Sequence, residues 1–477
     1  MNGYLSIPAA LIAAALAGVW FMRNERRGTP ERTVLFFLAY LITEAALYES
    51  QSRIPAGLIH PGLGADPNPG DDLIETAFSF RLLDILIPLA LWARLLGSRG
   101  RGGAAIPAFA WAGFLAWLGL AGVQGLVLGS DRNLLLFEGK ALVYLGLLFV
   151  VLGADLRVMV TSRAFERLVL SAAAVAVLLT GAHAAGVEIN QTIPILPLDR
   201  FGVVGTDAAS IFGAMAIVTL VLAATRDEGR LAMLGATAAF MAPALIAQQR
   251  AALLGLGVSI VFVLALSLLA PERVRVTPAE GSVLIVGLVF VVGTLALVGA
   301  GVQGKPFSLP FISSVEQTFA RGDKALSAES RVNQWNAAPL VIDDRPWTGW
   351  GLGKTYLYYD PGPKGFIRTN LTHNIGLDLL LRTGLIGLGL FAAALLASIA
   401  VGVRMWRKAT DPFVAALALA SSAIVLALIS KGMVESLFEK YRLAALLGLV
   451  VGIGLTTLSR ELVRERTPAE LGEGTLT

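Results

Sequence analysis

The side chains best suited to chemistry in this 477-residue chain are one histidine and a few arginines near the ends of apolar runs. His373 follows Thr372, a residue type typical of a helix N-cap, and opens an apolar segment. The positive end of a helix disfavours protonation, so we expect a neutral imidazole near pH 7. A neutral imidazole can accept a proton from a hydroxyl group. The alternative is a histidine that only caps the helix or hydrogen-bonds at an interface.

Three arginines are candidate anion ligands. Arg250, in AQQRAALLGL, lies between two apolar runs with almost no loop, where its planar guanidinium suits a phosphate. The alternative for Arg250 is snorkelling to the membrane surface. Arg331 can approach the same anion from the polar segment that follows, unless it pairs with Glu329 or Asp323 at the surface. Arg200, in LDRFGVVGTDAAS, is a further outside-facing cation.

The composition defines the class of protein that must position these residues. The chain is 56% hydrophobic and 15% charged, with a mean hydropathy of +0.71, which indicates a polytopic membrane protein. The net charge of +4 is spread over short loops and does not indicate a nucleic-acid partner. The absence of cysteine and the presence of three histidines argue against a metal site, and no cofactor is expected.

About thirteen apolar runs have the length of membrane-spanning helices. The second is short, and the eleventh is long enough to tilt or to project from the membrane. The predicted spans are residues 4–22, 33–48, 73–96, 104–128, 134–153, 168–187, 208–224, 231–247, 251–270, 282–301, 373–403, 413–429 and 443–458.

Basic residues fill alternate connections between these spans, which predicts that those connections face the cytoplasm. We therefore expect an uncleaved first span with its N-terminus outside. The predicted organisation is spans 1–10 in residues 1–301, a large periplasmic loop at 302–372, spans 11–13 in residues 373–459 and a cytoplasmic, exposed tail at 460–477. The basic clusters lie at 23–32, 94–101, 157–167, 226–230, 273–275, 404–408 and 460–466.

The large loop has a helical pattern followed by turn signals. Arg331, Trp335, Ala338 and Ile342 recur at helical spacing and should share one face, and Pro339 should kink or end that helix. Turns are then expected at Pro346, Gly349, Gly351 and Gly353. The GWGLG segment is not expected to cradle a phosphate, because it lacks the preceding strand and the following lysine and serine.

Other charges within the predicted spans are interpreted as structural or interfacial. Arg81 and Asp84 have the spacing of a pair on one helix face. The charges expected at the membrane interface are Glu44, Glu138, Lys140, Lys431 and Glu435.

Three segments in this order resemble the O-antigen ligase and polymerase superfamily of bacterial membrane glycosyltransferases. They are RFGVVGTDAASIFGAMA from Arg200, QQRAALLGLG around Arg250, and the segment 330–391, which includes ESR, GWGLG and THNIGLDLLLRTGLIG. The resemblance covers the second half of the chain in detail. The chain departs from the family in its odd number of predicted spans and in DAAS, where the family often has an asparagine-containing turn.

The resemblance implies an all-α, GT-C-like fold in the bacterial inner membrane and a role in lipopolysaccharide or polysaccharide biosynthesis. The implied donor is a glycan on undecaprenyl diphosphate, and the first hypothesis for the acceptor is lipid A–core, with a growing polysaccharide as the alternative. Transfer is expected on the periplasmic side without a metal. Arg250, Arg331 and Arg200 would bind the diphosphate, and His373 would activate the acceptor hydroxyl.

Other functions stay open at this point. The same residues suit a polymerase that extends a growing polysaccharide on the same carrier, or an enzyme that transfers glycan to a protein hydroxyl. A transporter of lipid-linked glycans would distribute its cations along the spans, whereas these cluster at one face. A two-carboxylate glycosidase is not supported, because no carboxylate pair stands out.

Overall fold

The computed structural model describes residues 7–47, 82–97, 106–152, 154, 163–184, 206–226, 228–246, 250–270, 323–361, 364–438 and 440–471. The helices in these ranges are α1 (Ile7–Arg26), α2 (Glu31–Leu47), α3 (Leu82–Gly97), α4 (Ile106–Val127), α5 (Arg132–Leu145), α6 (Leu147–Val151), α7 (Ala164–Ala184), α8 (Thr206–Thr225), α9 (Arg230–Ile246), α10 (Arg250–Leu269), α11 (Asp323–Ile342), α12 (Ile375–Lys408), α13 (Pro412–Gly432) and α14 (Tyr441–Leu471). Strands β1 (Tyr356–Asp360) and β2 (Gly365–Thr369) pair as an antiparallel hairpin.

Seven of the described helices are long and apolar enough to cross a membrane. They comprise α4, the α5–α6 unit, α7, α8, α10, α12 and α13, and two shorter apolar segments lie in α9 and α14. The prediction of an all-α polytopic membrane protein is confirmed. The predicted span 282–301 lies outside the described residues, so the total of twelve or thirteen spans stays a prediction.

Side-chain caps explain where several of these helices begin. Asp131 accepts hydrogen bonds from the backbone N–H groups of Asn133 and Leu134 at 2.8 and 3.0 Å, which starts α5. Asp411 caps α13 in the same way, and Pro412 follows it in the first turn, where its missing N–H costs nothing.

Helices α8 and α13 form the centre of the bundle and are buried along most of their length. Helix α10 packs antiparallel against α13: Ser259 Oγ donates to the carbonyl of Ala423 at 2.6 Å, and Gly255 lies against Ala427. A Cβ at Gly255 would stand 2.4 Å from that carbonyl oxygen, so only glycine permits this approach.

The contacts of α5 and α6 distinguish the two ends of the bundle. The polar segment that precedes α12, described from residue 323, is called the polar loop. The backbone near Asp131, before α5, packs against Gly353 of this loop, and this end of the bundle is called the loop end. The carbonyl of Leu152, after α6, accepts from the Arg94 side chain, which also pairs with Glu25 at 2.8 Å. The C-terminal ends of α1 and α3 therefore lie at the opposite end.

Helix α12 is broken near its start. Gly384 adopts a non-helical backbone conformation with φ 64° and ψ −170°, which divides α12 into segments 375–383 and 385–408. A positive φ is readily accessible to glycine. The eleventh predicted span, which is unusually long, therefore corresponds to a helix with a kink at Gly384.

The polar loop contains a small core of its own. Ala338 and Ile342 of α11 pack with Tyr356, Tyr358 and Leu381, so the predicted apolar face of α11 is confirmed. Helix α11 ends at Ile342, three residues after Pro339. The hairpin β1–β2 was not predicted.

At the other end of the chain, α14 continues as a helix to Leu471, into the segment predicted to be an exposed tail.

Candidate functional site

His373 lies immediately before the N-terminus of α12 at the loop end of the bundle. Its backbone is left-handed, with φ 46°, a conformation that is uncommon for residues other than glycine. Asn374 is the N-cap, because its side chain accepts from the N–H groups of Gly376 and Leu377 at 2.9 and 3.1 Å. The prediction that Thr372 caps this helix is therefore wrong. Thr372 is instead fully buried behind the turn.

The imidazole of His373 is held by α11. Its Nδ1 lies 2.8 Å from Oε1 of Gln334, and Gln334 is buried. Trp335, the next residue of α11, donates from Nε1 to the carbonyl of Thr372 at 2.9 Å. Two consecutive side chains of α11 therefore determine where His373 and its ring lie.

The environment of His373 keeps the ring neutral. Burial, followed by the positive charges of Arg331 and Lys440, lowers the pKa of His373 to about 4, although the negative charge of Glu435 acts in the opposite direction. The imidazole is therefore neutral at pH 7, as predicted. The dominant cause is burial, whereas the sequence suggested the end of the helix.

Arg331 approaches the same place from α11. Its Nη1 donates to the carbonyl of Val434 at 3.1 Å, and Asn374 Nδ2 donates to the neighbouring carbonyl of Met433 at 3.0 Å. Both contacts fall on the turn that follows α13. Arg331 and Asn374, the residue after His373, are thereby anchored to one short segment of backbone, although they are 43 positions apart in sequence.

A network of charged side chains lies directly behind this turn. Lys431 is 2% exposed, contacts Ser210 at 2.8 Å and pairs with Glu435 at 3.3 Å. Lys440 pairs with Glu435 and, at 3.7 Å, with Asp207. Burial raises the pKa of Glu435, but the two lysines outweigh it and lower the pKa to about 2. Lys431 and Glu435, which were predicted to lie near the membrane interface, are both buried within the protein.

Arg250 is the first residue of α10, and its side chain lies outside what the structure describes. The antiparallel register of α10 and α13 pairs Ser259 with Ala423 and Gly255 with Ala427. The same register places the backbone of Arg250 near the last turn of α13, beside the turn that binds Arg331. Arg200 lies outside the described residues.

The GWGLG segment inserts into the break in α12. The N–H groups of Trp350 and Gly351 donate to the carbonyls of Leu381 and Arg382 at 2.8 and 3.0 Å. In return, the N–H groups of Leu385 and Ile386 donate to Pro346 and Trp347. The backbone groups that the kink would leave unpaired are therefore satisfied by the loop.

The glycine turns in this segment occur where the sequence predicts them. Gly349, Gly351 and Gly353 have φ values of 69°, 83° and 80°. The N–H of Leu352 donates to the carbonyl of Ala121 in α4 at 3.0 Å. The backbone N–H groups of residues 350–352 therefore donate to carbonyls of the protein.

A second buried charge network lies beneath the GWGLG segment, and sequence reasoning missed it. Arg382 pairs with Glu138 at 2.7 Å and with Asp378, and it donates to the carbonyl of Asn370 at 3.0 Å. Glu138 also accepts from the N–H of Gly353 at 2.7 Å and from Asn370 Nδ2 at 3.0 Å. Glu138, which was predicted to lie near the membrane interface, is buried within the protein. Asp378 and Arg382, four apart within an apolar helix, were the available signal.

The predicted pair of Arg81 and Asp84 is not described, because Arg81 lies outside the described residues. Asp84 pairs with Lys140 at 3.0 Å and accepts from Tyr144. Among the described residues, no cluster of three or more potential metal ligands occurs. The side chain of Glu44 is not described.

The fold and site define a polytopic membrane protein in which a polar loop and a half-buried, neutral histidine lie over one end of the helices. Residues 213–392 match the family model described as O-antigen ligase, and this match supports membership of the O-antigen ligase superfamily. The match indicates a membrane enzyme of the O-antigen ligase or polymerase type and confirms the predicted resemblance. The matched range includes Arg250, Arg331 and His373. The chain matches no curated protein.

Proposed function

We propose that the protein transfers a glycan from undecaprenyl diphosphate to an acceptor hydroxyl on lipid A–core. The observation that carries the proposal is the neutral imidazole of His373, held beside Arg331 within the range that matches the family. A base and a guanidinium group in a poorly hydrated site suit the displacement of a diphosphate by a hydroxyl.

His373 is the proposed catalytic base. If Nδ1 carries the proton and donates it to Oε1 of Gln334, Nε2 keeps its lone pair. The acceptor oxygen then forms the new bond to the anomeric carbon, and the bond from that carbon to the diphosphate oxygen breaks. The hydroxyl proton moves to Nε2, and the electron pair of the broken bond leaves with the diphosphate.

Arg331, Arg250 and Arg200 are the proposed diphosphate ligands. The negative charge on the leaving diphosphate increases as the bond to the sugar breaks, so fixed guanidinium groups stabilise the transition state more than the ground state. Arg331 uses Nη1 for the carbonyl of Val434. A guanidinium group has five N–H donors, so this contact orients the side chain and leaves further donors for a ligand.

We further propose that the loop end faces the periplasm and that the membrane is the bacterial inner membrane. The arginines at the ends of α1 and α3 lie at the opposite end, which the distribution of basic residues assigns to the cytoplasm. The organisation predicted from the sequence, with a periplasmic loop at 302–372 between transmembrane segments and a cytoplasmic tail at 460–477, is part of this proposal.

Reconstitution tests the reaction and the acceptor together. Purified protein in liposomes receives an undecaprenyl-diphosphate-linked glycan and either lipid A–core or a second lipid-linked glycan, and the products are identified by mass spectrometry. Glycan attached to lipid A–core supports the ligase. Polysaccharide that grows on the lipid carrier would instead identify a polymerase, and an absence of transfer to either acceptor would refute the proposal.

The same assay tests metal independence. We expect transfer to continue at an unchanged rate after treatment with a chelator, because arginines rather than a metal would stabilise the diphosphate. Loss of transfer on chelation, with recovery when a divalent cation is added back, would refute the metal-independent reaction.

A further inference from the structure

An apolar groove with a cationic end runs between α1 and α3, at the end of the bundle opposite to His373. It has a volume of about 780 Å³, within the range of ligand-binding sites. Its apolar lining comes from one face of each helix: Ala15, Gly18, Val19 and Met22 of α1, and Ile85, Leu89 and Trp92 of α3.

Three arginines close one end of this groove. Arg23, Arg26 and Arg27 lie at the C-terminus of α1 and just beyond it, and their side chains are exposed. The adjacent carboxylate, Glu25, is buried and already pairs with Arg94 at 2.8 Å, so it does not line the groove. The cationic end therefore carries a net positive charge that complements an anionic headgroup.

We propose that this groove binds an anionic phospholipid, with the phosphate at the three arginines and an acyl chain along the apolar lining. Basic pockets between membrane helices suit anionic headgroups. Trp92 is 64% exposed beside the arginines, where an indole commonly marks the boundary between headgroups and hydrocarbon.

The dimensions favour a phospholipid over a longer polyprenyl carrier. The helical rise from Ala15 to Arg26 is about 16 Å, close to half of the roughly 30 Å hydrocarbon core of a bilayer. The lined segment thus matches the depth of one leaflet. Its position opposite to His373 also separates it from the proposed diphosphate site.

Lipid binding to the purified full-length protein tests this assignment. The protein is placed in nanodiscs of phosphatidylcholine that contain a minor fraction of phosphatidylglycerol, and the lipids retained after mild delipidation are quantified by native mass spectrometry. We expect the wild type to retain phosphatidylglycerol selectively. Equal retention of the two lipids would overturn the proposal.

Two variants make the test specific for the groove. Replacing Arg23, Arg26 and Arg27 by glutamine should lower phosphatidylglycerol affinity by about tenfold or more, since each arginine near an anionic surface contributes about fivefold. Gly18→Leu keeps the charge but places side-chain atoms against Leu89, whose Cδ atom is 3.5 Å from a Cβ at position 18. This variant should also weaken retention.

A matched control removes three positive charges outside the groove, at the same end of the bundle as the groove. Arg404, Arg407 and Lys408 lie in the last turns of α12, and their joint replacement by glutamine should leave retention unchanged. If the control loses phosphatidylglycerol as strongly as the groove variants do, binding is a general charge effect and the proposal fails. Displacement of phosphatidylglycerol by a stoichiometric amount of undecaprenyl phosphate would also overturn the assignment to a phospholipid.

Discussion

Two regions at the loop end contain buried charges but use them differently. In the network around Arg382, the guanidinium group contacts two carboxylates and two backbone carbonyls of the protein. Around His373, a neutral imidazole lies beside Arg331, whose guanidinium group contacts a backbone carbonyl. The first arrangement joins α5, the GWGLG segment and α12. The second arrangement places a base, His373, beside a cation, Arg331, at the same end of the bundle.

The comparison separates positioning from chemistry. A buried ion pair costs desolvation energy that partners on the protein must offset, so its removal should affect folding. Removing the neutral imidazole of His373 leaves no buried charge without a partner, so the change should affect the reaction more than folding. The following substitutions test this separation.

Removing the base should have the largest effect. His373→Ala should reduce transfer by about 100- to 10,000-fold, the range expected for loss of general base catalysis. His373→Asn should be equally inactive, although asparagine tolerates a positive φ, so a distorted backbone cannot explain the loss. Transfer is measured in the reconstituted assay and folding by thermal unfolding in detergent. Full activity of either variant would remove His373 from the mechanism.

Breaking the ion pairs of Arg382 with Glu138 and Asp378 should lower the free energy of unfolding. Arg382→Ala leaves Glu138 and Asp378 as buried carboxylates and should cost about 3–5 kcal/mol of unfolding free energy. The matched control is Arg368→Ala on strand β2, where the side chain is exposed and the change should stay within about 0.5 kcal/mol. Equal unfolding midpoints for the two variants would show that the network around Arg382 does not stabilise the fold.

A conservative change at Arg250 should weaken transfer without affecting folding. An ammonium group cannot form the bidentate contact of a guanidinium group, and the loss of one charge-assisted hydrogen bond should lower kcat/KM by about 10- to 100-fold. Arg250→Lys is compared with Arg368→Lys in the reconstituted assay. An unchanged kcat/KM for Arg250→Lys would contradict its role as a diphosphate ligand.

The smallest expected effect is a shift in pH dependence. The base must be unprotonated, so wild-type kcat/KM should be flat near neutral pH and fall as the pH decreases through the His373 pKa of about 4. In Gln334→Glu, a carboxylate at Nδ1 stabilises the imidazolium and should move this fall upward by about one unit or more.

Asn333 provides the control for this shift. Its side chain contacts the carbonyl of Tyr359 at 3.0 Å, away from the imidazole. Asn333→Asp therefore introduces the same charge one residue away without the contact to His373. Identical pH profiles for Gln334→Glu and wild type would show that Gln334 does not set the protonation of the ring.

Sequence patterns predicted those structural features that depend on residues close together in the chain. Apolar length predicted the helices, and the spacing of Ala338 and Ile342 predicted the buried face of α11. Isolated glycines predicted the turns at positions 349, 351 and 353. Partners distant in sequence were not predictable in this way. Glu138 and Arg382 are 244 positions apart, so each charge alone resembles an interfacial residue.

The amino-acid sequence by itself determined that the chain is a polytopic helical membrane protein with a polar loop before His373, because hydrophobicity and turn chemistry act over a few residues. The tertiary structure decided which charges are buried, which side chain caps α12, and why the imidazole is neutral. Those properties depend on desolvation and on partners brought by α11, α13 and the GWGLG segment. They arise only when helices distant in sequence pack together.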